Sequence, residues 1–135
     1  YWFSDQPAER CEMHHCISVG AYGSAIWTWS PGEDFKFYNN VFSNSNYFWI
    51  INKSEKVSYS MSNSVVVGYN ELIAKGGGPL NNVEPANIDR LQVGKNMVVK
   101  KEGRIELEED QTKRNYLHIK PGTLGAELGA GLFLK

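Results

Sequence analysis

His15-Cys16-Ile17-Ser18-Val19, Asn40-Val41-Phe42-Ser43-Asn44 and Asn63-Ser64-Val65-Val66-Val67 follow one another at intervals of 25 and 23 residues. Each opens on a polar residue and continues as a short apolar run. A second run follows in each window: Ala25-Ile26-Trp27-Thr28, Phe48-Trp49-Ile50-Ile51 and Glu71-Leu72-Ile73-Ala74. A third precedes it: Cys11-Glu12-Met13, Lys36-Phe37-Tyr38 and Ser58-Tyr59-Ser60. These runs are rich in β-branched and aromatic residues, and Gly, Asn, Ser and Pro separate them. No stretch sustains a 3.6-residue period, so the runs read as strands. A unit of about 23 residues with three short strands cannot bury its own core and must stack on its neighbours. Three strands per unit, piled at about 4.8 Å, describe a parallel β-helix. The alignment puts His15, Asn40 and Asn63 in one column. There Asn tolerates a left-handed backbone, and its amide can bond to the Asn one unit away. The competing reading is an antiparallel sandwich with coincidental spacing, and the threefold repeat favours the parallel stack.

Composition bounds the rest. The chain has 135 residues, with 41% hydrophobic and 21% charged, the balance of one globular domain. A net charge of -1 argues against nucleic acid or an anionic membrane as the main partner. The longest strongly apolar run, Tyr47 to Ile51, is far short of the roughly 20 residues a membrane helix needs, so no membrane insertion is expected. Residues 1–74 read as the stacked units. Residues 75–104 read as a loop and irregular insertion, opened by Lys75-Gly76-Gly77-Gly78-Pro79 and carrying a strand at Met97–Lys100, with a further strand at Arg104–Leu107 across its end. Within it, Pro85–Leu91 reads as a loop or a short helix. Residues 105–135 read as a terminal coil and C-terminal cap. The opening Tyr1-Trp2-Phe3-Ser4-Asp5 reads as a start in the middle of something, so another chain or a missing N-terminal segment is expected to cover that edge. Cys11 and Cys16 read as two half-buried thiols, or as a disulfide in an oxidising compartment. Asn52-Lys53-Ser54 is a glycosylation triplet of the kind that often arises by chance.

Two stretches carry a family likeness. Tyr116-Leu117-His118-Ile119-Lys120-Pro121-Gly122-Thr123 and Gly125-Ala126-Glu127-Leu128-Gly129-Ala130-Gly131 resemble the closing L-x-x-G-S-P-A-x-x-x-G segment of secreted bacterial right-handed parallel β-helix proteins, the pectate-lyase-like superfamily. Thr123-Leu124 stands where Ser-Pro is common. Phe37-Tyr38-Asn39-Asn40-Val41-Phe42 is similar to the I-x-N-N-x-F motif of the same superfamily. The resemblance spans roughly residues 11 to 74 and 105 to 131. It implies an all-β fold, the C-terminal coils of a right-handed parallel β-helix, and a piece of a larger solenoid. It also implies a secreted or periplasmic, carbohydrate-active protein: a polysaccharide lyase or glycoside hydrolase, or part of one. The superfamily includes non-catalytic adhesins too, so fold and activity are separate questions.

A β-helix is packed solid, so chemistry belongs on its outside. If His15 turns inward with the Asn column, His14 faces out, and Glu12 shares that face at about 7 Å. An imidazole beside a carboxylate is suited to acid–base work. The catalytic expectation is Glu12 with His14, helped by Asp5 or Asp34. The plainer alternative for each is a solvated surface group. For sugar binding the expectation is Trp27, Trp29, Trp49 and Tyr47, whose rings would stack on pyranose C–H faces along the outside. Their alternative is an aromatic ladder inside the core. Adjacent histidines on a strand point to opposite faces and His118 lies far along the chain, so no metal site is expected from them. No cofactor is called for, although Asp5, Glu9 and Glu12 offer the oxygen ligands Ca2+ would need. The expected partner is therefore a polysaccharide or oligosaccharide, and the rival reading is a non-catalytic module serving as adhesin, cap or assembly subunit. The rival predicts Trp27 and Trp49 in the core and no two carboxylates facing each other.

Overall fold

The computed structural model describes residues 2–3, 8–28, 32–51, 59–75, 81–82, 91–93 and 97–133. These residues form strands β1 (Trp2–Phe3), β2 (Ala8–Glu9), β3 (Glu12–His14), β4 (Ile17–Val19), β5 (Ser24–Thr28), β6 (Gly32–Glu33) and β7 (Phe35–Tyr38). They continue with β8 (Val41–Ile51), β9 (Tyr59–Ser62), β10 (Val65–Lys75), β11 (Asn81–Asn82), β12 (Leu91–Val93) and β13 (Val98–Lys100). The fold is all-β. One sheet runs β1-β5-β8-β10-β11, with β4 also on β8 and β13 also on β10. A second runs β12-β9-β7-β3, and β2 pairs with β6. Among the described strands every pairing is parallel except β10 with β11. The antiparallel sandwich is therefore excluded.

The repeat is real: β5 meets β8 at the expected step of 23, whereas β3, β4, β7, β8, β9 and β10 pair at a step of 24. Ile17 pairs with Val41 and Val41 with Val65, while Glu12 pairs with Lys36 and Lys36 with Ser60. The expected column of His15, Asn40 and Asn63 is thus one residue out of register. His15, Asn39 and Asn63 form the true column, and Asn40 stacks between Cys16 and Ser64. Backbone conformation explains the correction. His15, Asn39 and Asn63 have φ of 53°, 56° and 44°, left-handed values that Asn accepts more readily than most residues. Two further corners keep the same step. Arg10 and Asp34 have φ of 56° and 57°, and Gly20, Asn44 and Gly68 have 79°, 57° and 67°. The long strands β8 and β10 bend at the last of these corners. The segment expected as an insertion also extends the stack, because Leu91 pairs with Tyr59 and Val98 with Val65, both in parallel. The loop or short helix expected over Pro85–Leu91 lies outside the described residues, apart from Leu91, which opens β12.

Alternation along the strands builds the interior. Met13, Phe37 and Met61 form one buried row, and Phe35 and Tyr59 another. They join Phe42, Val66, Ile26, Trp49 and Ile73 in the main core cluster. Asn40 is fully buried within this apolar setting and satisfied there. Its Oδ1 accepts from the Cys16 amide at 3.0 Å, and its Nδ2 donates to the Met13 carbonyl at 2.9 Å. A second cluster joins Val41, Val65 and Val67 to Ile119, Ala130 and partly buried Leu124 and Leu128. The C-terminal segment therefore packs across the sheet that β4, β8 and β10 form. Among the described residues it adds no parallel strand as a terminal coil would: Leu107 and Ile119 form an antiparallel bridge with each other. Gly125 marks the closest approach. A Cβ there would lie 2.9 Å from both Val65 methyls.

Candidate functional site

Strand β3 alternates exposed, buried, exposed, so Glu12 and His14 share the outer face while Met13 enters the core. The parallel partner β7 places Lys36 beside Glu12 and Tyr38 beside His14. Side-chain contacts follow that register. The Tyr38 hydroxyl donates to Glu12 Oε2 at 3.0 Å. The His14 ring stacks on the Tyr38 ring, with centroids 4.8 Å apart and planes 11° from parallel. Lys36 Nζ lies 3.9 Å from Glu12 and 3.8 Å from Asp34, so one ammonium stands between two carboxylates. All three charged side chains are about half exposed, and such pairs contribute about 0–1 kcal/mol each.

His15 closes the site at the corner. The Asn63 side-chain amide donates to Asn39 Oδ1, leaving Asn39 Nδ2 to donate to His15 Nε2 at 3.3 Å. With Nε2 accepting, the ring proton sits on Nδ1 and points at His14 Nδ1, 2.9 Å away. The His15 ring also stacks on Phe133, with centroids 3.7 Å apart. Partial burial and the neighbouring His14 hold the His15 pKa below the ordinary imidazole value. The hydrogen bond to Glu12, with some burial and the carboxylate's charge, raises the Tyr38 pKa. The phenol therefore stays protonated and available as a donor.

The expected residues divide. Glu12, His14 and Asp34 come together around Lys36 and Tyr38. Asp5 and Trp29 lie outside the described residues, as does the triplet Asn52-Lys53-Ser54. Trp49 does not join an outer platform: it is 1% exposed, packs edge-on against Phe37 and Tyr59, and donates from Nε1 to Thr28 Oγ1 at 3.0 Å. Its row is Ile26–Trp49–Ile73, whereas Trp27 pairs with Ile50, so the two indoles occupy different rows. Trp27 is 39% exposed and Tyr47 partly so. Tyr38 and Lys36 were missed as members of the site. The step of 24, had the left-handed corners been recognised, would have placed them beside His14 and Glu12. Cys11 and Cys16 are free thiols here, both partly buried. Among the described residues no group of three or more His, Cys, Asp or Glu side chains is placed to hold a metal. No helix among them is long and apolar enough to cross a membrane. Compared with protein-family models, curated proteins and solved structures, the chain finds no match in any of the three.

Proposed function

We propose that this chain is a set of coils of a right-handed parallel β-helix, of pectate-lyase-like type, that binds a polysaccharide on its outer face and cleaves it there. Parallel pairing at a recurrent step of 24 and left-handed corners on that step support the β-helix. Right-handedness follows from the general hand of parallel crossovers. The closing-segment likeness supports the carbohydrate-active reading and a secreted or periplasmic setting. The observation that carries the chemistry is the Glu12–Tyr38–His14 arrangement, a carboxylate, a phenol and an imidazole in contact on an exposed sheet face. Glu12 is the group that exchanges a proton with the substrate. Tyr38 orients it, and His14 provides a second titratable group beside the same ring.

A second reading, a non-catalytic module, is favoured by two observations. Lys36 stands between Glu12 and Asp34, and Trp49 belongs to the core. One experiment separates the readings. The chain is incubated with a panel of neutral and uronate polysaccharides, and new unsaturated ends are measured against new reducing ends. Unsaturated ends identify a lyase and reducing ends a hydrolase. Glu12→Gln is expected to lower either signal by roughly 10²–10⁴-fold. Binding without cleavage selects the module, and an undiminished rate in Glu12→Gln removes the cluster from the chemistry.

A further inference from the structure

The corner at Gly20, Asn44 and Gly68 holds a feature that the Glu12–His14 face does not use. Val19 pairs with Ser43, which pairs with Val67, and Ser24 pairs with Tyr47, which pairs with Glu71. Between the corner and those second partners, β8 and β10 each place two residues, Ser45-Asn46 and Tyr69-Asn70. The first unit places three, Ala21-Tyr22-Gly23. The extra residue is extruded as a bulge. The amide of Asn46 donates to the Ala21 carbonyl at 3.2 Å, and the next amide, Tyr47, donates to the Gly23 carbonyl at 2.9 Å. Those two carbonyls flank Tyr22, whose ring is thrust outward and is 99% exposed. A bulge re-aims one side chain while the ladder closes on both sides of it.

Beside Tyr22 lies a groove of about 590 Å³, open to solvent and within the size range of small-ligand sites, about 300–1,000 Å³. Tyr22, Asn44, Ser45, Asn46, Gly68 and Asn70 line it, and among the described residues none that line it carries a charge. Asn70 Nδ2 donates to Asn46 Oδ1 at 3.0 Å, which fixes both amides and leaves the Asn46 amino group and the Asn70 oxygen for further partners. Gly68 keeps the floor low, since a Cβ on it would lie 2.8 Å from Asn44 Oδ1.

We propose that this groove binds a neutral sugar residue of a glycan. The Tyr22 ring covers a pyranose C–H face, and the amides of Asn44, Asn46 and Asn70 exchange hydrogen bonds with its hydroxyls. An exposed ring over paired donors and acceptors matches a ring that is apolar on its faces and hydroxylated at its rim. The absence of charge in the lining selects against uronates. The site stands on its own geometry and does not depend on chemistry at Glu12.

The test uses the whole chain and defined oligosaccharides: cello-, xylo-, manno- and malto-hexaose, with oligogalacturonate as the charged control. Side-chain amide resonances of Asn44, Asn46 and Asn70 are followed by ¹H–¹⁵N NMR during titration. At least one neutral hexaose is expected to shift them, and oligogalacturonate is not. Tyr22→Ala should weaken that binding roughly tenfold, Tyr22→Phe should retain it, and the urea midpoint should not move in either. Glu12→Gln should leave the affinity unchanged, so loss of cleavage and loss of this site read out separately. Binding that survives Tyr22→Ala, shifts confined to other residues, or no shift with any neutral hexaose would overturn the assignment.

Discussion

Two corners of this molecule share one backbone solution and differ in everything laid over it. At the first, His15, Asn39 and Asn63 take left-handed conformations in column. Their side chains bond to one another, Phe133 stacks on His15, and the Gly131 amide donates to the Asn39 carbonyl at 2.9 Å. At the second, Gly20, Asn44 and Gly68 hold the same conformation, yet a groove stays open beside Tyr22. The difference teaches that the step of 24 is set by backbone geometry. Whether a corner becomes structure or a binding surface is decided by side chains and by what packs on top. The covered corner spends its polar groups internally. The open one keeps amide groups for a visitor.

The comparison predicts unequal sensitivities. The largest effect should come beside the covered corner from Asn40→Ala, which strips partners from the buried Met13 carbonyl and the part-buried Cys16 amide. At about 1–3 kcal/mol for each group left unpaired, the expected loss is about 2–6 kcal/mol, read from the denaturant midpoint. A loss below about 1 kcal/mol would mean that water replaces the amide and that the corner is not dry.

Next in size is a pair of glycine substitutions at the open corner. Gly68→Ala forces a Cβ to 2.8 Å from Asn44 Oδ1 and 3.1 Å from the Gly103 carbonyl, on a φ of +67°. Gly20→Ala meets nothing within 4 Å on a φ of +79°. Gly20→Ala should cost about 1–2 kcal/mol, the left-handed penalty alone, and Gly68→Ala measurably more. Equal costs would show that Asn44 and Gly103 yield freely.

A smaller effect is expected from pH. The folded chain resists protonating His15, whereas the unfolded chain does not. Above the ordinary imidazole pKa of about 6.5 both states are neutral and the difference vanishes. As pH falls below that value the unfolded state gains a proton first, so stability declines until the lowered folded pKa is passed. His15→Asn keeps a residue suited to the left-handed corner and should flatten this slope in urea titrations between about pH 5 and 8. An unchanged slope would show that His15 does not carry the pH dependence.

The smallest effects belong to the solvated side chains. Lys36→Met should change the urea midpoint by no more than about 1 kcal/mol, because both of its ion pairs are half exposed. Asn46→Ala in the open groove should fall within about 0.5 kcal/mol, in contrast to Asn40→Ala. A large loss from Asn46→Ala would make the two corners alike and would count against a free amide surface.

Much of this was legible in the chain. Period-two apolar runs returning at about two dozen residues specify strands that must stack, and the alternation Glu12-Met13-His14 is enough to put the two polar groups on one exposed face. The step itself was blurred, because short runs such as Val65-Val66-Val67 align almost equally well at 23, 24 or 25 residues. A one-residue slip exchanges the two faces of a strand, so the error moved the corner column from Asn39 to Asn40. It also hid Tyr38 as the partner of His14. Only the ladder hydrogen bonds and the left-handed corners, which join residues far apart in sequence, select 24. The side of the strand taken by Trp49 depends on Phe37, Tyr59 and Thr28 across the core, and no local pattern reports them. The extrusion of Tyr22 likewise exists only against its neighbours, since a surplus residue can be counted only when a paired strand supplies the standard. Local chemistry chose strand and alternation; register, burial and the open groove came from cross-strand geometry, where hydrogen bonds and packing act between residues the chain itself keeps apart.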